Sequence, residues 1–276
     1  EGVLAMIGDS TNAMVEGRTA SEADAEAGLR KVIADAKGRV AISCFSSNVA
    51  RIQSIIRAAQ ANDRSVAVVG RAIKRAISAA QEVGYLRDLL DFVAEDDIEL
   101  LPRENIVILC TGTQGEPRAA MAKIAAGTHE SVTLDPGDTV VFSSRQIPGN
   151  EPAIARVQDG LIRRKIILIT DEDAPVHVSG HPSREEMAEM YGLVRPRIAI
   201  PVHGTARHLV AHAELAEHCQ VHQTLLPDNG TMIRLARAGK KGEDAEIIDT
   251  VKTGALTHEK GKIVEIQSDM MRARRR

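Results

Sequence analysis

Apolar and polar positions along this chain follow two rhythms. Short, nearly unbroken apolar runs recur at Val3–Ile7, Arg39–Phe45, Ser65–Val69, Asn105–Cys110, Asp138–Ser144, Lys165–Thr170 and Arg197–Val202. Between them lie stretches of helical spacing, such as Val49, Ile52, Ile55 and Ile56 within Asn48–Asn62. Further helices are predicted over 21–36, 72–83, 118–126 and 151–163, the first opened by the capping pair Ser21 and Asp24. Unbroken apolar strands alternating with helices signal an α/β fold whose parallel sheet is covered on both faces.

After Thr170 the pattern continues with "VHVSGH" (176–181), which reads as a strand end turning into a helix near Ser183. Pro175 and Pro182 oppose helix at the residues before them. A helix after His203 shows Leu209, Ala213 and Ala216 on one face. "LLPDNGTMIRLA" predicts a hairpin with Asp228-Asn229-Gly230 at its turn. Beyond Ala238, "GKKGEDAE" reads as a polar linker toward another unit.

Composition narrows the function classes. The chain has 276 residues, 43% hydrophobic, which suits one large or two ordinary domains. Its formal net charge is −3, so no overall basic field announces a polyanion, although a local positive surface would suffice to hold one. Aromatic residues are 2% of the chain and tryptophan is absent, which argues against a platform for stacking bases. Cys44, Cys110 and Cys219 are odd in number and widely spaced, so neither a disulfide framework nor a cysteine zinc site is expected. With no apolar run of about 18 residues, the expectation is a soluble, cytoplasmic protein without a membrane partner.

Reactive side chains gather just after strand ends: Asp9 in "IGDSTN", His177 and His181 in "HVSGH", and His203 in "PVHGTARH". Strand termini fix such groups by backbone, as metal or acid–base chemistry requires. Singly, Asp9 reads as a turn or helix cap and each histidine as an ordinary surface or core residue. Jointly they point to a site. His208 and His212, four apart with Glu217 and His218 nearby, read as an exposed helix face rather than a second metal site. "GTQGEP" lacks the following Lys-Ser/Thr of a phosphate loop and reads as a structural or substrate-side loop.

The blocks "GDSTNA", "TASE", "CFSSNVARIQ", "FSSRQIPGNE", "HVSGHPSREEM", "PVHGTARH" and "LLPDNGTMIRL" together resemble the ribonuclease J family, of the metallo-β-lactamase superfamily with a β-CASP insertion. The resemblance implies part of a metallo-β-lactamase αββα sandwich interrupted by a β-CASP domain whose parallel sheet is flanked by helices. It divides the chain into metallo-β-lactamase segments 1–36 and 174–237, a β-CASP domain 37–173, and a linker 238–276. It implies a zinc-dependent ribonuclease, both 5′–3′ exonuclease and endonuclease, acting in messenger decay and ribosomal RNA maturation. Two Zn2+ ions are implied per complete site, with Mn2+ admitted by the same ligands. Asp9 corresponds to the bridging metal ligand, His203 to a second ligand, His181 to the catalytic histidine and Glu22 to its acidic partner. His177, Ser179, Gly180, Ser47 and Ser144 are implied to line a pocket for the 5′ monophosphate of single-stranded RNA. Homo-oligomers are expected.

One departure changes the expectation. The family's H-x-H-x-D-H motif, which carries most metal ligands, is absent. A zinc site needs about three or four protein ligands, so this chain by itself is expected to bind zinc weakly and cleave nothing. Either it is an incomplete piece of an active enzyme, or it is a non-catalytic RNA-binding or regulatory subunit. Thr205 stands where relatives often carry glutamate, beside His203.

Overall fold

A computed structural model describes residues 2–86, 91–235, 245–254, 256–259 and 262–265. Its elements in chain order begin β1 (Ala5–Asp9), α1 (Glu22–Asp35), β2 (Val40–Ser43), α2 (Val49–Gln60), β3 (Ser65–Val69) and α3 (Arg71–Glu82). They continue with β4 (Ile106–Cys110), α4 (Ala120–Ala126), β5 (Thr139–Phe142), α5 (Glu151–Arg163), β6 (Ile167–Ile169) and α6 (Arg184–Val194). The remainder is β7 (Ile198–Val202), α7 (Ala206–His218), β8 (Gln223–Thr224), β9 (Thr231–Arg234), β10 (Glu246–Thr250), β11 (Leu256–Glu259) and β12 (Lys262–Glu265).

These elements form two compact units, one from residues 1–19 with 180–276 and the other from 20–179. The second unit holds a five-stranded sheet of order β3-β4-β2-β5-β6, parallel throughout. Successive side chains of each strand enter opposite cores. Val40, Ile42, Val107 and Leu109 meet Leu29, Ile55 and Ile73 of α1 to α3 on one face. Ala41, Ile106, Ile108 and Cys110 meet Met121, Ile124 and Leu161 of α4 and α5 on the other. Both faces are dry, which is why the strands read as unbroken apolar runs.

Helix α1 belongs to this unit, whereas the division by resemblance groups it with residues 1–36. The cause is its apolar stripe: Leu29, Val32 and Ile33 share one core with Ile52, Ile55 and Ile56 of α2. At the amino-terminal edge of the sheet the fully buried Asp138 carboxylate accepts the N–H groups of Arg39 (2.8 Å) and Asp135 (2.7 Å) and the Arg103 guanidinium (2.6 Å).

The first unit is thinner. Its sheet runs β1-β7-β8, parallel, with Ala5 opposite Ile198 and Asp9 opposite Val202. One face packs Ala199 against Tyr191 of α6 and Ala216 of α7. The other gathers only Ile198, Ile200 and Ala245 with part-buried neighbours, and Ile7 stands 63% exposed.

Three local expectations are corrected here. The turn at Asp228–Gly230 forms, with the Thr231 N–H donating to the Asp228 carbonyl, but its flanks do not pair. Instead β9 pairs antiparallel with β10, and β8 continues the parallel sheet. Strands therefore occupy part of the stretch read as linker, although residues 236–244, including most of "GKKGEDAE", lie outside the described residues. Nor is "VHVSGH" a strand, because residues 176–179 join no ladder. The Val176 carbonyl is taken by side chains, accepting Ser143 Oγ (2.7 Å) and Arg51 Nη1 (3.2 Å). Among the described residues no helix is long and apolar enough to cross a membrane.

Candidate metal centre and anion pocket

In the first unit, the carboxyl ends of β1 and β7 lie side by side because the two strands pair in parallel. Asp9 ends one and His203 follows the other. The Thr11 N–H donates to Asp9 Oδ1 (2.9 Å), leaving Oδ2 to face two imidazoles. His203 Nδ1 lies 2.8 Å from that oxygen and His181 Nδ1 lies 3.0 Å from it. The two rings stack with centroids 5.4 Å apart. Burial pulls the Asp9 carboxyl upward, but the Thr11 N–H, the Thr11 hydroxyl and His181 outweigh it and hold it below the ordinary 3.8.

The supports explain the flanking sequence. The Thr11 hydroxyl donates to the His203 carbonyl (3.1 Å) and lies 3.0 Å from His203 Nδ1. His203 adopts φ +57°, a left-handed conformation rare for a residue with a Cβ and one that clusters at functional sites. The His181 carbonyl accepts Asn12 Nδ2 (2.9 Å) and the Thr19 hydroxyl (3.1 Å). Glu186 caps the same loop, accepting the N–H groups of Thr19 and Ser183 (both 2.9 Å). Thus "GDSTN" and the threonine of "TASE" brace the histidines from behind.

Behind Asp9 the sequence reading misplaced one residue. His212 is not on an exposed face. It is 1% exposed, with Nδ1 at 2.9 Å from Ser10 Oγ and Nε2 at 2.9 Å from the Tyr191 hydroxyl. The i, i+4 spacing from His208 suggested surface, while the apolar neighbours Ala213 and Ala216 were the available signal for burial. His208 caps its own helix, accepting the Thr205 N–H (3.3 Å) as Thr205 caps in return. Thr205 therefore serves the helix start after His203. Among the described residues, Asp9, His181 and His203 form a three-donor cluster, with all ligand atoms within 4.8 Å of one another. A carboxylate and two imidazoles suit a divalent transition metal. The donor set therefore fits a cation, though it is smaller than a complete dinuclear site needs.

The second unit holds a separate polar cluster at the carboxyl ends of β2 and β5, beside the point where the sheet's winding reverses. Open α/β sheets place ligands at such points. Its centre is Arg51, 1% exposed and unforeseen in the sequence, since charged residues are seldom fully buried. Arg51 Nε and Nη2 grip Glu22 Oε1 (2.5 Å) and Oε2 (3.0 Å), a partner for Glu22 that the sequence did not suggest. Arg51 Nη1 donates to Ser143 Oγ (2.8 Å) and to His177 Nδ1 (3.1 Å). A guanidinium only donates, so His177 Nδ1 must accept and the ring proton sits on Nε2. Burial, with the Arg51 charge second, holds His177 below the ordinary 6.5. Ser144 is nearly buried and Ser47 exposed, and neither hydroxyl has a hydrogen-bond partner among the described residues. A cavity of about 920 Å³ at the opposite end of this sheet's strands touches none of these residues.

A small parallel sheet presenting Asp-His-His, interrupted by a doubly wound α/β unit, defines a metallo-β-lactamase-type fold carrying a β-CASP insertion. Residues 37–161 match the family profile described as "Ribonuclease J, beta-CASP domain", and residues 174–224 match "Zn-dependent metallo-hydrolase RNA specificity domain". The chain is 48% identical to the ribonuclease J of Sinorhizobium meliloti over 93% of its own length and 44% of that protein's. It is 43% identical to that of Mycolicibacterium smegmatis, over 92% and 45% respectively, and 36% identical to that of Thermus thermophilus, over 94% and 46%. The chain belongs to the ribonuclease J family, and it spans less than half the length of these relatives.

Proposed function

We propose that this chain contributes half of the active centre of a metal-dependent RNA phosphodiesterase, zinc being the metal and two ions completing the site. The carrying observation is the convergence of His181 and His203 on one Asp9 oxygen at 3.0 and 2.8 Å. Asp9 and His203 would hold metal, which when bound polarises the phosphate and supplies an activated water. His181 would donate a proton to the leaving oxygen, as an imidazole at the mouth of such a site can. Glu22, held by Arg51, would add its carboxylate to the catalytic machinery of the assembled enzyme.

The terminal phosphate of single-stranded RNA would sit among Ser47, Ser144, His177, Ser179 and Gly180. A neutral His177 offers Nε2–H to a phosphate oxygen, and two unpartnered hydroxyls add donors that grip phosphate without reading a base. Retention of a 5′ monophosphate there favours stepwise 5′–3′ removal of nucleotides, while a strand passing the pocket permits internal cutting. Action in messenger decay and ribosomal RNA maturation, and assembly as a homo-oligomer, follow from the same reading.

The test uses a protein extended to its relatives' length. His203→Ala should lower zinc content, and His181→Ala should abolish cleavage while metal content stays near normal. Equal metal loading in both variants refutes the roles assigned. Full-length protein that binds RNA but never cleaves it would favour the non-catalytic subunit.

A further inference from the structure

In the second unit, α3 begins directly after β3, and the "GTQGEPR" loop follows β4. Between these ends opens a cavity of about 480 Å³ lined by Arg71, Lys74, Arg75, Arg118 and Lys123, with Glu95 and His129. Five exposed cations thus face one carboxylate, in a chain whose formal net charge is −3. Glu95 is committed to Lys74 at 2.5 Å. Arg71, Arg75, Arg118 and Lys123 make no ion pair or side-chain hydrogen bond among the described residues. Close cations without counter-charges repel one another, and a bound polyanion relieves that repulsion. The first turn of α3 adds to the field, having no side-chain cap and no acidic residue.

We infer that this groove is a second RNA-binding site, holding the phosphodiester backbone of a single strand whose other part occupies the β2–β5 pocket. Three of the free cations are arginines, whose planar forks match phosphate oxygens. No phenylalanine, tyrosine or tryptophan lines the groove, so phosphates are its main grip. Continuity selects RNA over an acidic peptide: β4 and β3 lie one and two strands from β2 in the sheet. That is roughly 5 and 10 Å at ordinary strand spacing. A strand held in the pocket reaches the groove with its next few nucleotides, which gives the "GTQGEP" loop a substrate-side role.

The inference rests on the RNA reading above, and its test separates the two. Fluorescence anisotropy of this chain with 5′-phosphorylated oligouridylates of 4 and 20 nucleotides is read across a potassium chloride series. Arg71→Ala/Arg75→Ala/Lys123→Ala should weaken the 20-mer at least tenfold and leave the 4-mer unchanged. Its salt slope should fall by about two units, ~0.7 for each of three lost phosphate contacts. Arg71→Lys/Arg75→Lys, which keeps the charge and loses the forks, should keep the wild-type salt slope and weaken the 20-mer less than the triple variant. Single-stranded DNA should compete with RNA, and polyglutamate should not. Wild-type affinity and slope in the triple variant, or polyglutamate competing as well as RNA, overturns the groove. His177→Ala should erase the preference for 5′-phosphorylated over 5′-hydroxyl RNA without changing the slope. A wild-type chain that binds no RNA of either length overturns both readings.

Discussion

The two units put the same kind of strand to different use. In the second, five parallel strands are sealed between two helical layers, and buried charges such as Asp138 and Arg51 are each met by several partners. In the first, three strands carry one shallow helical layer, an apolar face with Ile7 open to solvent, and the cluster of Asp9, His181 and His203. Depth of core and reactive chemistry are segregated. A ligand cluster needs open coordination, which a double layer sealed on both faces does not offer at its centre. Opening should therefore begin in the first unit, where few buried contacts oppose it.

The sharpest way to break that contrast is Asp138→Ala, which leaves the Arg103 guanidinium and two N–H groups without their acceptor. A loss of about 2–5 kcal/mol is expected, most of it from the two stranded N–H groups because Arg103 is partly exposed, measured by urea unfolding with amide exchange in β2 and β5 as reporter. Tyr191→Phe should cost about 1–3 kcal/mol by stranding His212 Nε2 in a buried site. Exchange should quicken in β1 and β7 with β4 unaffected; a change spread evenly over both sheets would erase the distinction.

Acid should act on both units with one sign. Burial holds His212 below 6.5, and burial with Arg51 does the same to His177. The unfolded chain then binds protons first as pH falls, so stability is full above about pH 6.5 and declines below it. Urea midpoints at pH 7.5 and 5.5 check this, and His212→Gln should flatten the decline in the first unit alone. Thr205→Ala should be the mildest change, about 1 kcal/mol from a lost helix cap, seen as early fraying at the start of α7.

What could be read beforehand follows from range. Strands buried on both faces announce themselves in five consecutive residues, as "NIVILC" does, and caps such as Ser21 with Asp24 are equally local. Asp9 and His203 stood out because each follows an apolar run, and His177 and His181 because they bracket "HVSGH" between two prolines. Interactions that run against residue type or across distance stayed hidden. Nothing near Arg51 marks it as buried, since its partners Glu22 and His177 lie 29 and 126 positions away. The turn chemistry of Asp228–Gly230 argued for a local hairpin, but β9's partner arrives only at β10. His212 was misjudged because helical spacing gives a face, not its neighbours.

The pairing of β1 with β7 carries a consequence for synthesis. Asp9 leaves the ribosome 193 positions before its partner Val202, a delay on the order of 10–40 s at ordinary elongation rates. During that wait residues 20–179 have every strand of their own sheet and can close it. The nascent "VLAMIGD" segment meanwhile waits without its β7 partner, its apolar side chains open to chaperones until translation reaches that mate.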